Sequence, residues 1–140
     1  MKPKVYLAGQ PNQYDNWRAE FKALAQFVCY DPDVDSDQSS PETFFPQDLE
    51  AIRNADILVA NPGLKPSEGT WIEIGYFLAL HTVNPGETSK NLIIIWKPER
   101  EPRWSIKFVE RTGRVVSSVE EAIQESQKLT LIKRSPHEDH

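Results

Sequence analysis

Residues 91–96 read NLIIIW, which is the strongest strand signal in the chain. Two earlier runs have the same character, KVYLA at residues 4–8 and DILVA at residues 56–60, and RVV at residues 114–116 predicts a short final strand. Short continuous apolar runs bounded by turn residues are typical of strands that are buried on both faces of a parallel sheet. These strands therefore form the framework of the fold, and the stretches between them connect it.

Helical patterns fill the stretches between these strands. Apolar residues recur at helical spacing from Tyr14 to about Val28, and Ser40-Pro41-Glu42 has the cap and the first-turn proline of a helix that runs to about residue 54. Two more helices are predicted at residues 70–81 and 118–128. Strands that alternate with helices indicate right-handed βαβ units. We therefore predict an α/β protein, a single-domain flavodoxin-like or Rossmann-like sandwich with a parallel sheet of roughly five strands.

The chain has 140 residues, the length of one domain. We assign residues 1–129 to this domain and predict that residues 130–140, which end in SPHEDH, form a disordered tail. Residues 31–41 are acidic and rich in proline and serine, and we expect a loop there.

Charge and composition exclude several classes of partner. The net charge is −5 and the basic residues form no cluster, which argues against a DNA or RNA polymer but not against a small neutral nucleoside. A single cysteine, Cys29, excludes a disulfide framework and suits a reducing compartment. No apolar run approaches the roughly 18 residues of a membrane span. We expect a soluble cytoplasmic protein without a membrane partner.

The sequence predicts neither a cofactor nor a metal ion. The loop after the first strand holds a single glycine, Gly9, so it lacks the G-x-G-x-x-G pattern of a dinucleotide site, and no Walker motif occurs elsewhere. The histidines are not spaced with cysteines or acids as transition-metal ligands.

The acidic residues that begin at Asp31 fall at the ligand positions of a calcium loop, but Ser36 stands where the sharp turn needs glycine. We favour an acidic active-site flap over a calcium loop, and the role of this segment stays open.

Glu73 is the first candidate for chemistry. Thr70-Trp71-Ile72-Glu73 fits the capping box T-x-x-E, in which the glutamate only caps a helix. A carboxylate in the first turn of a helix also faces the positive end of the helix dipole, which keeps it ionised. An ionised carboxylate beside a ligand-binding loop is what a nucleophile requires. Both roles are compatible with this position.

Asp48 and Tyr6 are the second and third candidates. Asp48 stands four residues from Phe44 and from Ile52, inside an apolar helical stripe where an unpaired charge is costly. Either it contacts a ligand or a helix-end partner there, or it lies at the rim of the stripe in water. Tyr6 is placed near the carboxyl end of the first strand. Either its hydroxyl reaches a ligand site there, or the side chain is an ordinary part of the core.

Ligands of doubly wound sheets bind beyond the carboxyl ends of the strands. The loops at residues 9–13, at residues 61–68 and after Trp96 are therefore the candidate binding loops. Gly9 and Gln10 would place backbone and amide groups against a base or sugar, and the alternative is a plain turn. Asn61 ends its strand at the same edge, as a substrate ligand or as a turn residue.

Three blocks of sequence resemble the nucleoside 2-deoxyribosyltransferase family. They are VYLAG at residues 5–9, DLEAI at residues 48–52 with ADILVA at residues 55–60, and GTWIEIGY at residues 69–76. The resemblance spans residues 4–96, and the blocks occur in the family's order.

The resemblance implies a flavodoxin-like fold and cleavage of the bond between C1′ of deoxyribose and a nucleobase. Glu73 would attack C1′ and form a covalent glycosyl ester, from which a second base takes the sugar. Tyr6 would position Glu73 by a hydrogen bond, and Asp48 would contact the substrate and assist proton transfer. The partners would be a nucleoside and a nucleobase, in a homo-oligomer, a dimer or larger, that shares each site across the subunit interface.

The chain departs from the family pattern before Glu73. Typical transferases place a sugar-binding aspartate six residues before the nucleophile, and Ser67 stands at that position. Serine there resembles the related 2′-deoxynucleoside 5′-monophosphate N-hydrolases, in which it helps to bind phosphate. Glu68 could supply the missing carboxylate by a shift of one residue, and Gly69 completes the predicted substrate loop. The activity expected first is transfer between nucleobases, with hydrolysis of a 5′-monophosphate or non-catalytic nucleoside sensing as alternatives.

Overall fold

The computed structural model describes residues 2–63, 67–81, 91–97 and 104–134. Its strands and helices alternate along the chain as follows: β1 Lys4–Gly9, α1 Arg18–Lys22, β2 Val28–Tyr30, α2 Pro32–Asp35, α3 Pro41–Asn54, β3 Ile57–Asn61, α4 Glu68–His81, β4 Leu92–Ile95, α5 Trp104–Thr112, β5 Arg114–Val116 and α6 Val119–Arg134.

The five strands form one sheet in the order β2-β1-β3-β4-β5, and every pairing is parallel. This order confirms the predicted α/β class, because it is the flavodoxin-like arrangement. The chain leaves β1 towards β2 on one side and returns to β3 on the other. The carboxyl ends of β1 and β3, where Gly9 pairs with Asn61, therefore flank the switch point at which such folds bind ligands.

Both faces of the sheet are covered, which explains why the strands are uninterrupted apolar runs. Tyr6 and Ala8 of β1 pack with β3, β4 and the helices α3, α4 and α5 on one face. Val5 and Leu7 point to the opposite face and pack with α1 and α6. The alternation of side chains along β1 thus places Tyr6 on the face that carries α3 and α4.

The predicted helix from Tyr14 to Val28 is wrong over most of its length. Only Arg18–Lys22 is helical, and Val28 begins β2 at the edge of the sheet. The Val28 amide donates to the Pro3 carbonyl at 2.9 Å, so pairing with β1 overrides the helical spacing of the apolar residues. A strand of three residues is also too short to produce a clear alternating pattern.

Two other boundaries differ from the prediction. The segment predicted as an acidic loop contains the short helix α2, which Asp31 caps by accepting a hydrogen bond from the Asp33 amide. The last helix continues to Arg134 instead of ending near Lys128, so it includes the first residues of the predicted tail. Residues 135–140 of that tail lie outside the described residues, as does most of the binding loop predicted after Trp96.

Within the described part of the chain, no helix has the length and the apolar character needed to cross a membrane.

The close approach of β1 and β3 at Gly9 predicts a stability effect. A Cβ atom at Gly9 would lie 2.7 Å from the Asn61 carbonyl oxygen and 3.1 Å from Nε1 of Trp17. We expect Gly9→Ala to lower the free energy of unfolding by about 1–3 kcal/mol, because backbone and a packed ring cannot yield without strain. Gly75→Ala is the matched control, since nothing lies within 4 Å of its Cβ and it is in a helix. We expect the control to stabilise the protein by about 0.5–1 kcal/mol in urea denaturation. Equal effects of the two substitutions would contradict the contact.

Candidate active site

A cavity of about 460 Å³ opens at the carboxyl ends of β1 and β3. Its volume is in the range of small-molecule sites. Six residues that the sequence singled out contribute to its wall, namely Gly9, Gln10, Asp48, Ser67, Gly69 and Glu73. Apolar side chains form much of the remainder, including Tyr14, Phe44, Phe45, Leu49 and Ile72. The cavity is therefore a largely apolar cleft with three carboxylates in its wall, those of Asp33, Asp48 and Glu73.

Glu73 is held in place by a hydrogen bond from Tyr6. Tyr6 is fully buried on β1, and its hydroxyl donates a hydrogen bond to Oε2 of Glu73 on α4. Burial and the negative charge of Glu73 raise the pKa of Tyr6 far above its usual value, so Tyr6 stays protonated and stays a donor. The positioning contact that the family resemblance implied is thus present in the geometry.

The capping-box interpretation of Glu73 is wrong. The helix α4 begins at Glu68, so Thr70 lies inside its first turn and Glu73 lies in the second turn. The Thr70 hydroxyl pairs with the Ser67 hydroxyl at the start of the helix. Glu73 therefore does not cap the helix, and its carboxylate is directed to Tyr6 and the cavity.

The environment of Glu73 raises its pKa to about 7. Burial is the main cause, and the negative charge of Asp48 adds to it. The hydrogen bond from Tyr6 and the positive charge of Arg18 oppose this rise by stabilising the ionised form. Glu73 is consequently an ionisable group that is poised at neutral pH, which is typical of catalytic carboxylates.

Asp48 lies on α3 and is half-buried in the cavity wall. The Ser36 hydroxyl donates a hydrogen bond to its Oδ1 atom, and burial raises its pKa. Among the described residues no lysine or arginine forms an ion pair with it. The apolar stripe of α3 thus presents Asp48 to the cavity, which explains a carboxylate at that position.

Arg18 is a residue of the site that the sequence did not single out. Its side chain is 1% exposed. Its guanidinium donates hydrogen bonds at 2.7–3.0 Å to the carbonyl oxygens of Leu7, Gly9 and Gln10. It also donates to Oδ1 of Asn12 at 2.8 Å, and together these bonds hold the loop after β1. The only sequence signal was its place inside an apolar helical stretch, the same signal that pointed to Asp48.

The acidic segment after β2 is tied to this loop. Asp31 is fully buried and accepts hydrogen bonds from Nδ2 of Asn12 at 2.9 Å and from Nζ of Lys22 at 3.0 Å. Burial acts to raise its pKa, but these hydrogen bonds and the charge of Arg18 outweigh that effect and lower it. Asp33 accepts from the Asn12 amide at 3.0 Å. Across the described ranges, no three acidic, histidine or cysteine side chains are grouped so as to hold a metal ion.

Two predicted substrate ligands are not in the cavity wall. Asn61 is 3% exposed and its carbonyl lies against Gly9, and Glu68 is exposed at the start of α4. The geometry gives no support to either as a substrate ligand. Gln10 does line the cavity, with its amide packed against Gly63, whose φ is +75°.

Comparisons with known proteins identify the relatives of this fold. A family model described as nucleoside 2-deoxyribosyltransferase matches residues 3–112. A CMP N-glycosidase of Clostridium botulinum, BcmB, is 21% identical, with a TM-score of 0.55 over 89% of this chain and 98% of that one. BlsM, which has a solution structure, is 20% identical, with a TM-score of 0.56 over 90% of this chain and 86% of that one.

A 2-desoxiribosyltransferase from Leishmania mexicana is 24% identical, with a TM-score of 0.47 over 66% of this chain and 63% of that one. No curated protein matches the sequence. At their identities the likenesses to the CMP N-glycosidase and to BlsM establish the fold alone, and the family match confirms the resemblance seen in the sequence.

The raised pKa of Glu73 predicts a pH-dependent stability. The native state holds a proton that the unfolded chain releases between the usual pKa of 4.5 and about 7, so the free energy of unfolding falls as the pH rises through that window. Glutamine keeps an acceptor for Tyr6 but cannot ionise. We expect Glu73→Gln to match the wild type near pH 4.5 and to be more stable by about 1–3 kcal/mol at pH 8.5 in urea denaturation.

Glu121→Gln is the control for this measurement. Hydrogen bonds from the Ser117 amide and hydroxyl lower the pKa of the exposed Glu121, so its ionised form stabilises the native state. We expect Glu121→Gln to reduce stability at pH 8.5, the opposite sign to Glu73→Gln. A stability change in Glu73→Gln that is the same at both pH values would mean that folding does not raise the pKa of Glu73.

Proposed function

The chain belongs to the nucleoside 2-deoxyribosyltransferase family, and on that premise we propose that it cleaves the N-glycosidic bond of a deoxynucleoside and transfers the sugar to another nucleobase. The observation that carries the proposal is the half-buried Glu73 carboxylate, held by the Tyr6 hydroxyl and directed into a cavity that Asp48 also lines. A site that only bound a nucleoside would not need a carboxylate with its own buried donor.

In the first step Glu73 attacks C1′ of the sugar. A bond forms between its carboxylate oxygen and C1′ while the C1′–N bond breaks, and the electron pair of that bond leaves with the base. The transition state resembles an oxocarbenium ion, as in retaining glycosidases. In the second step the nitrogen of another base attacks C1′ from the opposite face and displaces Glu73, so the configuration at C1′ is retained overall.

The two carboxylates suit different roles. Tyr6 donates to Glu73 in every protonation state, which stabilises the ionised nucleophile and fixes its direction. Asp48 has a raised pKa and lies on the neighbouring helix α3. It is therefore suited to give a proton to the departing base and to take one from the incoming base. Arg18 supplies a fixed positive charge that favours the ionised form of Glu73.

The walls of the cavity favour a flat, uncharged ligand. Phe44, Phe45 and Tyr14 offer aromatic surface on which a nucleobase can stack. Arg18 is the single basic side chain among the described residues of the wall, and backbone carbonyls and Asn12 already occupy its guanidinium. A nucleoside without phosphate is therefore the favoured substrate.

A second candidate function is hydrolysis of a 2′-deoxynucleoside 5′-monophosphate. The observation that favours it is the pair of hydroxyls of Ser67 and Thr70 at the amino end of α4, in the cavity wall. Hydroxyls and the positive end of a helix dipole are suited to hold a phosphate group. Water would then replace the second base in the displacement of Glu73.

Base exchange tests the proposed transfer. We expect the protein, mixed with a deoxynucleoside and a different free base, to form the exchanged nucleoside, as measured by liquid chromatography. A 2′-fluorinated nucleoside should slow the second step and leave a covalent adduct on Glu73 in mass spectrometry. Glu73→Ala should lower the rate by several orders of magnitude, roughly the 10⁴-fold or greater loss expected when a nucleophile is removed.

Three results would contradict this proposal in different ways. Free sugar without exchanged nucleoside would indicate a hydrolase. An unmodified protein that still turns over the natural substrate would exclude the covalent route. Tight binding of nucleosides without any turnover would indicate a sensing module.

Ser67→Ala distinguishes the two substrate classes. If the substrate is a free nucleoside, we expect this substitution to change kcat/KM for a nucleoside and for its 5′-monophosphate by the same factor. If Ser67 binds the phosphate, only kcat/KM for the monophosphate should fall, by roughly 10–100-fold, because a hydrogen bond to a charged group is lost. The ratio of the two kcat/KM values within one variant is its own control for misfolding.

A further inference from the structure

Two hydroxyl groups, of Ser36 and Tyr30, form a hydrogen-bonded pair beside Asp48. Ser36, which is 5% exposed, donates to Oδ1 of Asp48. The Tyr30 hydroxyl lies 2.6 Å from the Ser36 hydroxyl oxygen. Neither residue lines the cavity. They form a chain of three polar groups, Tyr30, Ser36 and Asp48, that runs from β2 to α3.

Counting hydrogens fixes the direction of this chain. An ionised Asp48 only accepts, so the single hydrogen of Ser36 points to Asp48, and the hydrogen of Tyr30 must then point to Ser36. When Asp48 carries a proton on Oδ2, its Oδ1 atom remains an acceptor, and Ser36 can still donate to it. The Ser36 hydroxyl, itself paired with Tyr30, therefore gives Asp48 a hydrogen bond in both of its protonation states.

We propose that Tyr30 and Ser36 are positioning residues that hold Asp48 in one orientation while it gives up and regains a proton during each catalytic cycle. This inference rests on the proposed function, in which Asp48 exchanges a proton with the leaving and the incoming base. One carboxylate oxygen is bound to Ser36, and the other is the atom that meets the base. A fixed partner such as lysine would favour only the ionised form, whereas a hydroxyl pair serves both forms.

The same pair is joined to the nucleophile through ring packing. The ring of Tyr30 stacks on the ring of Tyr6, with centroids 5.6 Å apart and planes inclined by 14°. Tyr6 holds Glu73, and Tyr30 reaches Asp48 through Ser36. The two stacked tyrosines thus set the spacing of the two carboxylates from one rigid support on neighbouring strands.

A titration tests this inference without any turnover. The Asp48 carboxyl carbon is followed by carbon-13 NMR in the full chain, and its signal is identified by its loss in Asp48→Asn. Because the Ser36 hydrogen bond favours the ionised form, we expect Ser36→Ala to move the Asp48 titration to higher pH. Ser39→Ala removes an exposed hydroxyl nearby that has no contact with Asp48, and it should leave the titration unchanged. An unchanged Asp48 titration in Ser36→Ala would overturn the inference.

Kinetics test the positioning role itself. We expect Ser36→Ala to lower kcat by about 10-fold with little change in KM, the size of effect expected for one lost hydrogen bond, and Ser36→Thr to restore most of the rate. Tyr30→Phe keeps the ring that stacks on Tyr6 and should cost less than Ser36→Ala. The double variant Tyr30→Phe/Ser36→Ala should be no slower than Ser36→Ala, because Tyr30 acts through Ser36.

The decisive comparison uses the Asp48→Asn background. If Ser36 acts through Asp48, adding Ser36→Ala to Asp48→Asn should cause no further loss of rate. A further 10-fold loss in that background would overturn the inference, since it would mean that Ser36 supports the fold or the substrate directly. If the wild type turns over no nucleoside or nucleotide, the proposed function fails, and the NMR titration alone decides on the hydroxyl pair.

Discussion

The hydrogen bond from Tyr6 to Glu73 is the interaction on which the site depends. It joins the interior strand β1 to the helix α4, across 67 positions of sequence. Its donor is fully buried among the residues of the core, so the carboxylate is attached to the packed interior of the molecule. Because the proposed nucleophile is supported in this way, it does not need to be ordered by the substrate, and preorganisation of this kind reduces the barrier of a reaction.

The ionisation of Glu73 reflects a balance of opposing effects. Burial and the charge of Asp48 favour the neutral acid, whereas the Tyr6 hydroxyl and the charge of Arg18 favour the carboxylate. The outcome, a pKa of about 7, leaves a substantial ionised fraction at neutral pH, which the proposed attack on C1′ requires. Arg18 therefore serves two purposes, because the same guanidinium also holds the loop between β1 and α1.

The acidic segment after β2 connects the parts of the site. Its first residue, Asp31, binds Asn12 and Lys22, and Ser36 in its middle binds Asp48. The short helix α2 between them sets the distance from one to the other. Residues that the sequence suggested as a calcium loop or a flap are thus engaged with the loop after β1 and with α3, which gives this segment a structural role in both walls of the cavity.

By itself, the sequence determined the central strands, the long helices α3 and α4, the fold class and the family. Each of these follows from neighbouring residues along the chain, as an apolar run, a helical spacing or a motif. It also singled out Glu73, Tyr6 and Asp48, since a charge inside an apolar stripe and a motif in the family's order are visible without coordinates. The strand β2, the start of α4 and the role of Arg18 were decided only by tertiary structure. A three-residue edge strand forms because β1 is beside it, and Arg18 acts through carbonyl groups whose position depends on the folded loop. Glu73 illustrates the difference most clearly: its local pattern indicated a helix cap, and only packing of α4 against β1 replaced that cap with the hydroxyl of Tyr6.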